Sequence, residues 1–259
     1  MNTFANNDES LNSLQSRRGD LLRNHLNRLK SSPTATLLLD GGTGEELFKR
    51  GVPDDRKIWS ATAIVNEQYH SVEEDVHRSF IKAGSQAITT NSYGITPGVG
   101  FTDGDEVKRL VGIAGSIARR AVSTSLSLDP SALVLGSLGP LVESYRPDLI
   151  MNHDAGVVAY QHAIDGLYPY IDVYLAETMS CAEEACQAID AISIFYSGLH
   201  DLSLAKHPLL VSFSLNQDGN LRDGETVVNA IPKVTQFARR KNVNCKSYHS
   251  CYYFTIYSI

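Results

Sequence analysis

Short apolar, β-prone runs alternate with longer amphipathic stretches along this 259-residue chain, and that alternation restricts the possible folds more than any other feature. The apolar runs are predicted strands, at Thr36–Leu39, Ala87–Thr90, Ala132–Leu135, Val173–Ala176, Leu209–Phe213 and Asn242–Cys245. The amphipathic stretches are predicted helices, at Val72–Ala83, Glu106–Ser125, Asp154–Leu167, Ala182–Leu199 and Thr226–Arg240. Regular alternation of strand and helix predicts a parallel α/β sheet with right-handed crossover connections.

Two architectures fit this alternation, a doubly wound open sheet and a (β/α)8 barrel of the TIM type. Residues able to do chemistry or to turn tightly follow nearly every strand: Asp40, Asn91, Gly139, Glu177, Ser214 and Cys245. A barrel builds its site from the ends of many strands, whereas a doubly wound sheet uses one switch point. The barrel is therefore favoured. Five units of about 41 residues lie between Asp40 and Cys245, so the last of eight strands would lie near residue ~330. An incomplete barrel with about six of its eight strands is therefore expected.

The chain divides into three predicted segments. Residues 1–33 form a polar lead-in whose leucines recur at helical spacing, which predicts an amphipathic helix over residues 10–30. Residues 34–245 form the partial barrel domain. Residues 246–259 form a tail that is rich in Tyr and Phe and has Lys246 as its only formal charge, a composition unlike that of the preceding domain.

Composition and charge exclude several functional classes. The chain is 42% apolar and 20% charged, as globular proteins are, and its net charge of −6 gives it no general attraction for nucleic acid. No apolar run approaches the ~18 residues of a membrane span, and the first 30 residues lack a signal-peptide core. A cytoplasmic protein is expected, and arginines such as Arg17 and Arg18 leave an organelle address open.

The first strand runs into Asp40-Gly41-Gly42-Thr43-Gly44, where a helix is expected to begin. A tight turn that needs glycine explains part of this pattern. It matches neither a dinucleotide-binding nor a P-loop fingerprint. A carboxylate beside bare backbone amides suits a zwitterionic amino acid, with its ammonium group on Asp40 and its carboxylate on the amides of Gly41 and Gly42.

Glu177-Thr178 ends another strand, where an unpaired carboxylate is unfavourable unless it has a partner. Either an arginine from a neighbouring loop pairs with Glu177, or Glu177 binds the ammonium group of a ligand. The single tryptophan, Trp59, and the strand-end Tyr93 are either packing residues or cation–π platforms for a positively charged ligand.

These segments together resemble the homocysteine S-methyltransferase family, and the resemblance covers roughly residues 34–245. The segments that carry it are Leu38–Leu47, Arg50-Gly51, Trp59–Ala61, His77 with Phe80–Ser85, Ile88–Tyr93, Gly136–Pro140 with Tyr145, Ala176–Met179 and Val243–Cys245. Each segment alone is a weak signal, but their order and spacing together are specific.

The resemblance implies a (β/α)8 barrel that transfers a methyl group from a sulfonium donor, S-methylmethionine or S-adenosylmethionine, to homocysteine and so produces methionine. Asp40, Gly41, Gly42, Glu177 and Thr178 are then the expected substrate-binding residues. Trp59 and Tyr93 are the donor-side candidates.

The family also binds zinc through three cysteines, and Cys245 matches the first of them. The downstream Cys-Cys pair is absent from these 259 residues, and only His249 and Cys251 lie near Cys245. Zinc would turn the substrate thiol into a thiolate, but one cysteine cannot hold it in a defined site. The expected alternative is therefore a catalytically inactive, C-terminally truncated isoform or gene-model product. An unrelated barrel enzyme such as an aldolase is less consistent, because none of the strand-end residues named above is a lysine.

Overall fold

The computed structural model describes residues 24–25, 27–28, 31–32, 35–125, 132–199 and 206–245. Most of the predicted helix over residues 10–30 and the whole predicted tail, 246–259, lie outside these ranges. Residues 24–25 and 27–28 are helical, in agreement with the leucine spacing of the lead-in.

From residue 35 onward, the described ranges contain four strands and seven α-helices. The strands are β1 (Ala87–Thr89), β2 (Leu133–Leu138), β3 (Val173–Met179) and β4 (Leu209–Phe213). The helices are α1 (Thr43–Lys49), α2 (Thr62–Val65), α3 (His70–Lys82), α4 (Gly104–Thr124), α5 (His153–Leu167), α6 (Ala182–Gly198) and α7 (Val227–Arg240). The five predicted helices correspond to α3 to α7.

The strands form one parallel sheet in the sequential order β1-β2-β3-β4. Ala87 pairs with Leu133, Leu135 with Val173, and Tyr174 with Leu209. The order does not reverse, unlike that of a doubly wound sheet. The predicted parallel α/β class is therefore confirmed.

The first and last predicted strands contribute one parallel bridge each. Leu39 pairs with Ala87 beside β1, and Cys245 pairs with Leu209 beside β4. Six chain segments therefore lie side by side in the order in which they occur in the sequence, four as strands and two as single bridges.

The two faces of the sheet bury different sets of side chains. One face packs under the helices in a helix-side cluster that includes Ile88, Val134, Tyr174 and Leu209. The opposite face carries an inner cluster of smaller extent, formed by Leu37, Ala87, Leu133, Leu135, Val173 and Leu175. Apolar residues on both faces explain why the strands are continuous apolar runs in the sequence.

Close helix packing on the outer side depends on small residues. Asp103 caps α4 by accepting a hydrogen bond from the Glu106 N–H at 2.9 Å, which satisfies one donor of the first turn. A Cβ atom added to Gly166 on α5 would lie 2.3 Å from the Lys108 carbonyl oxygen on α4. Glycine therefore lets these two helices approach closely. In the described part of the chain, no helix has both the length and the hydropathy needed to cross a membrane.

Candidate functional site

On the face of the sheet that carries the inner cluster, three neighbouring strands each end in a polar side chain. Thr89, Ser137 and Glu177 follow the apolar inner-face residues of β1, β2 and β3 in turn. Side chains two residues apart in a strand point to the same face, so these three lie together at the carboxyl edge of the sheet. In α/β proteins that edge is where binding sites form.

Asp40 is fixed at this edge by β1. Its N–H donates to the Ala87 carbonyl at 3.0 Å, and its carboxylate accepts from the Thr89 N–H and the Thr89 hydroxyl, both at 2.8 Å. Burial raises the pKa of Asp40, and the two bonds from Thr89 partly oppose this rise. No Lys or Arg in the described ranges forms an ion pair with Asp40.

Glu177 lies close to Asp40 at the end of β3. Its carboxylate accepts a hydrogen bond of 2.5 Å from the Ser137 hydroxyl. Burial, together with the charge of Asp40, raises the pKa of Glu177 to about 7, although the bond from Ser137 opposes this rise. The arginine pairing that the sequence left open is not observed among the described residues. The edge therefore holds two carboxylates that share one environment and have hydroxyl or backbone donors instead of cations.

The amides of Gly41 and Gly42 stay a prediction as a carboxylate-binding element. Gly41 packs under the Phe80 ring, where an added Cβ would lie 2.9 Å from a ring carbon. Gly42 caps α1, and its carbonyl accepts from the Glu46 N–H at 3.1 Å. Glu45 and Glu46 already place negative charge in the first turn of α1, which lowers the attraction of that end for a further anion.

A buried polar group under the edge was not predicted from the sequence. Glu73 and His77 on α3 are both 0% exposed, with Glu73 Oε1 3.6 Å from His77 Nε2. The Asn91 side chain donates to Glu73 Oε2 at 3.0 Å and to the Ser60 carbonyl at 2.8 Å. His77 is also close enough to Asp40 to oppose the effect of burial on the pKa of that carboxyl. The signal was the spacing, since Glu73 and His77 share the helical stripe of Val76 and Ile81.

The two aromatic candidates lie at the same edge. Trp59 is 48% exposed, and its ring lies over the Gly94 backbone, beside Tyr93. The Tyr93 hydroxyl forms a 2.6 Å hydrogen bond with Ser144. Burial raises the pKa of Tyr93, and the nearby Glu177 also raises it.

Backbone strain is concentrated around this edge. Four non-glycine residues of the described ranges have a positive φ, and three of them flank the carboxylates: Trp59 at 49°, Tyr145 at 67° and Thr178 at 63°. Bulky or β-branched residues rarely adopt this conformation, and such strain is typical of functional sites.

Cys245 does not join this group. Its backbone pairs with Leu209, whose side chain belongs to the helix-side cluster, and Cys245 packs against that cluster. Burial raises the pKa of its thiol to about 11. Among the described residues, no three His, Cys, Asp or Glu side chains are placed to hold a metal ion. His249 and Cys251 lie outside those residues. The side chains described here therefore do not fit the zinc site that the resemblance implies.

Comparison with known proteins gives a consistent result. The family model of homocysteine S-methyltransferase matches residues 37–252, well over half of the chain. Homocysteine S-methyltransferase of Escherichia coli (strain K12) is 37% identical over 111 residues, which are 40% of this chain and 35% of that protein. Homocysteine S-methyltransferase 2 of Saccharomyces cerevisiae is 22% identical over 244 residues, which are 85% of this chain and 72% of that protein.

Solved structures agree with the sequence comparisons. The metallated form of the homocysteine methyltransferase MmuM from Escherichia coli superposes with a TM-score of 0.64 at 26% identity, covering 78% of this chain and 70% of that one. Its oxidized form gives a TM-score of 0.66 at 27% identity, covering 82% of this chain and 73% of that one. The family model includes all four strands of the described sheet. The chain therefore belongs to the homocysteine S-methyltransferase family.

Proposed function

We propose that the chain binds homocysteine at the carboxyl edge of the sheet, with the substrate ammonium group between Asp40 and Glu177. One observation carries this proposal: Thr89 and Ser137 hold the two carboxylates, and no described lysine or arginine forms an ion pair with either of them. A carboxylate taken out of water is stabilised by a paired charge. An ammonium group supplies that charge to both carboxylates at once.

The reaction that fits this substrate is methyl transfer from a sulfonium donor, S-methylmethionine or S-adenosylmethionine. The homocysteine sulfur releases its proton to water and forms a bond to the methyl carbon, while the bond between that carbon and the sulfonium sulfur breaks and leaves its electron pair on the departing sulfur. The products are methionine and a neutral thioether. The negative field of Asp40 and Glu177 and the exposed ring of Trp59 favour a cationic donor, because sulfonium groups bind to anionic and aromatic surfaces. Tyr93 and Thr178 complete the proposed site.

The proposed scaffold is a barrel of the (β/α)8 type. The sequential strand order and the apolar inner face of the sheet support it, as does the likeness to MmuM. In such a barrel the inner-face residues at the carboxyl ends of the strands line the site. Thr89, Ser137 and Glu177 have that position.

The first test is calorimetric titration of the purified chain with homocysteine. Replacing Glu177 with Gln removes the charge opposite the ammonium group and should weaken binding by about ten- to a hundredfold, since hydrogen bonds to charged groups contribute about 1.5–3 kcal/mol. The control is Glu106→Gln, because Glu106 is exposed in the first turn of α4. An unchanged affinity in Glu177→Gln would remove Glu177 from the site.

A second function, homocysteine binding without methyl transfer, is favoured by the position of Cys245. No metal is assigned a step here, because the described side chains do not provide three ligands. The second function predicts that the 259-residue chain holds well under one zinc ion per molecule and forms no detectable methionine. Metal analysis of the purified protein, with a methylation assay on both donors, decides between the two functions. One zinc per chain that is lost in Cys245→Ala, together with turnover, would establish the transferase and exclude the second function.

A further inference from the structure

A loop after β4 holds Arg222 at the same edge as the two carboxylates. Leu215 and Leu221 form an antiparallel bridge, and the Leu221 N–H donates to the Glu225 carbonyl at 2.9 Å. The Arg222 N–H donates to the Ser180 carbonyl at 3.1 Å. Ser180 is three residues beyond Glu177, so this bond fixes the Arg222 backbone next to the end of β3.

The Arg222 guanidinium is oriented but not neutralised. It stacks on the Tyr145 ring, 4.8 Å from the centroid, and its buried Nε has no hydrogen-bond partner among the described residues. Within those residues, no Asp or Glu forms an ion pair with it. Arg146, at the same rim, differs: its Nε and Nη2 bond the Asp148 carboxylate at 2.8 and 2.7 Å. The fixed planar fork of Arg222 is therefore free to bind a carboxylate.

Tyr145 connects Arg222 to the proposed site. The Tyr93 hydroxyl forms a 2.6 Å hydrogen bond with Ser144, which directly precedes Tyr145. Tyr145 and Glu177 also both raise the pKa of Tyr93, so the three side chains lie near one another. Along this row the charge changes sign, from the carboxylates of Asp40 and Glu177 to the guanidinium of Arg222. An α-amino acid carries the complementary pair of charges, an ammonium group and a carboxylate on one carbon.

We propose that Arg222, stacked on Tyr145, forms a subsite for the α-carboxylate of an amino-acid ligand. This rests on the proposed function. Homocysteine and S-methylmethionine both carry such a carboxylate, and the subsite serves one of them. For the donor, the guanidinium repels the sulfonium group and attracts the carboxylate, so only one orientation of the donor is favourable.

The test compares each amino acid with its carboxamide, which lacks the negative charge. Homocysteine, S-methylmethionine and the two amides are titrated calorimetrically into the full wild-type chain and into Arg222→Gln, Arg222→Lys and Arg146→Gln. For the ligand that occupies the subsite, wild type should prefer the acid over the amide, and Arg222→Gln should weaken acid binding about ten- to a hundredfold. Arg222→Lys should keep part of the preference for the acid over the amide, because lysine retains the positive charge but lacks the planar guanidinium that binds a carboxylate through two hydrogen bonds. Arg146→Gln should keep all of it.

The two arms identify the ligand. Loss of the preference in the homocysteine arm alone assigns the subsite to the acceptor, and loss in the S-methylmethionine arm alone assigns it to the donor. The same preference in Arg222→Gln and Arg146→Gln in both arms overturns the subsite, while homocysteine binding that depends on Glu177 keeps the proposed function. A wild-type chain that binds neither amino acid contradicts both. If Arg222→Gln does not fold, as judged by circular dichroism, Arg222→Lys decides the outcome.

Discussion

The two ends of β3 carry carboxylates in opposite electrostatic situations. Asp172, at the amino end, is buried and pairs with Arg119 Nη2 at 2.7 Å, while it also accepts from the Val134 N–H at 2.7 Å. Glu177, at the carboxyl end, has the Ser137 hydroxyl as its donor, and Asp40 is its charged neighbour. One carboxylate is compensated by a cation of the chain, and in the proposed function the other is compensated by a ligand. The comparison therefore sets a group that stabilises the fold against one whose burial is unfavourable until a ligand binds.

The largest effect is expected from removing the partner of Asp172. Arg119→Met leaves a buried charge without its cation, which should lower the free energy of unfolding by about 3–5 kcal/mol. Urea denaturation at pH 7 measures the effect. Arg120→Met is the matched control, because the next arginine is half exposed and pairs with Glu74 on the surface, where a loss below about 1 kcal/mol is expected. Equal losses in the two variants would contradict the structural role of the Asp172 pair.

At the other end of β3, removing the charge of Glu177 should raise the free energy of unfolding instead of lowering it. The folded state raises the pKa of Glu177 to about 7, above that of the unfolded chain, so the folded chain binds more protons between pH 4.5 and 7. The wild type therefore loses stability as the pH rises through this window. Glu177→Gln abolishes the penalty and should gain on the order of 1–2 kcal/mol at pH 8, allowing for the solvent that reaches the group. The gain should vanish below pH 4.5.

Thermal melts of Glu177→Gln and wild type at pH 8 and pH 4 measure this difference. A variant that is less stable than wild type at pH 8 would mean that Glu177 is a structural group like Asp172. The comparison between the two ends of the strand would then fail.

Most of the fold could be predicted from the sequence because the elements are encoded locally. The apolar runs of β1 to β4 and the stripes of α3 to α7 need no tertiary information, and Asp40 and Glu177 follow directly from the strand ends. Cys245 shows the limit of this reasoning. Its place at the end of the last apolar run was predictable, but the face on which its side chain packs depends on its register with Leu209, which local periodicity does not determine.

The Glu73–His77 group shows a second limit. In the sequence, Glu73 stands beside Glu74 and Asp75, so only its place on the apolar helical stripe distinguishes it from the charges of a solvated helix face. Its burial depends on Asn91, a residue 18 positions away that reaches it only once β1 is packed against α3. Short-range patterns predict elements well, but they do not predict which polar residues the packing of those elements will enclose.

The affinity for homocysteine should depend on pH through Glu177. Glu177 must be ionised to attract the ammonium group, and its pKa of about 7 places this change between pH 6 and 8. The ionised fraction then rises about tenfold over that range, and the affinity should rise by about the same factor. Titrations at pH 6, 7 and 8 measure it, and the dependence should be absent in Glu177→Gln. A flat profile in wild type would mean that Glu177 is already ionised and compensated within the chain.

The smallest effect on stability is expected from a surface cluster in which His153 contacts two carboxylates. His153 on α5 bonds Glu183 at 2.7 Å and Asp190 at 3.2 Å on α6, and Lys241 bonds the other oxygen of Asp190 at 2.6 Å. The bond to Glu183 is the main reason that the pKa of His153 is raised. A raised histidine pKa stabilises the fold fully below pH 6.5, and this contribution is lost as the pH rises through the folded value.

His153→Gln should therefore lower stability at pH 5.5 by at most about 1 kcal/mol, since the group is partly exposed, and by less at pH 8.5. Urea denaturation at the two pH values measures the difference. Adding Glu183→Gln to His153→Gln should cause little further loss at pH 5.5, because the two residues share one interaction. Equal losses from His153→Gln at both pH values would show that packing, rather than charge, joins α5 to α6 here. The surface cluster would then be unlike both ends of β3, where charge decides the outcome.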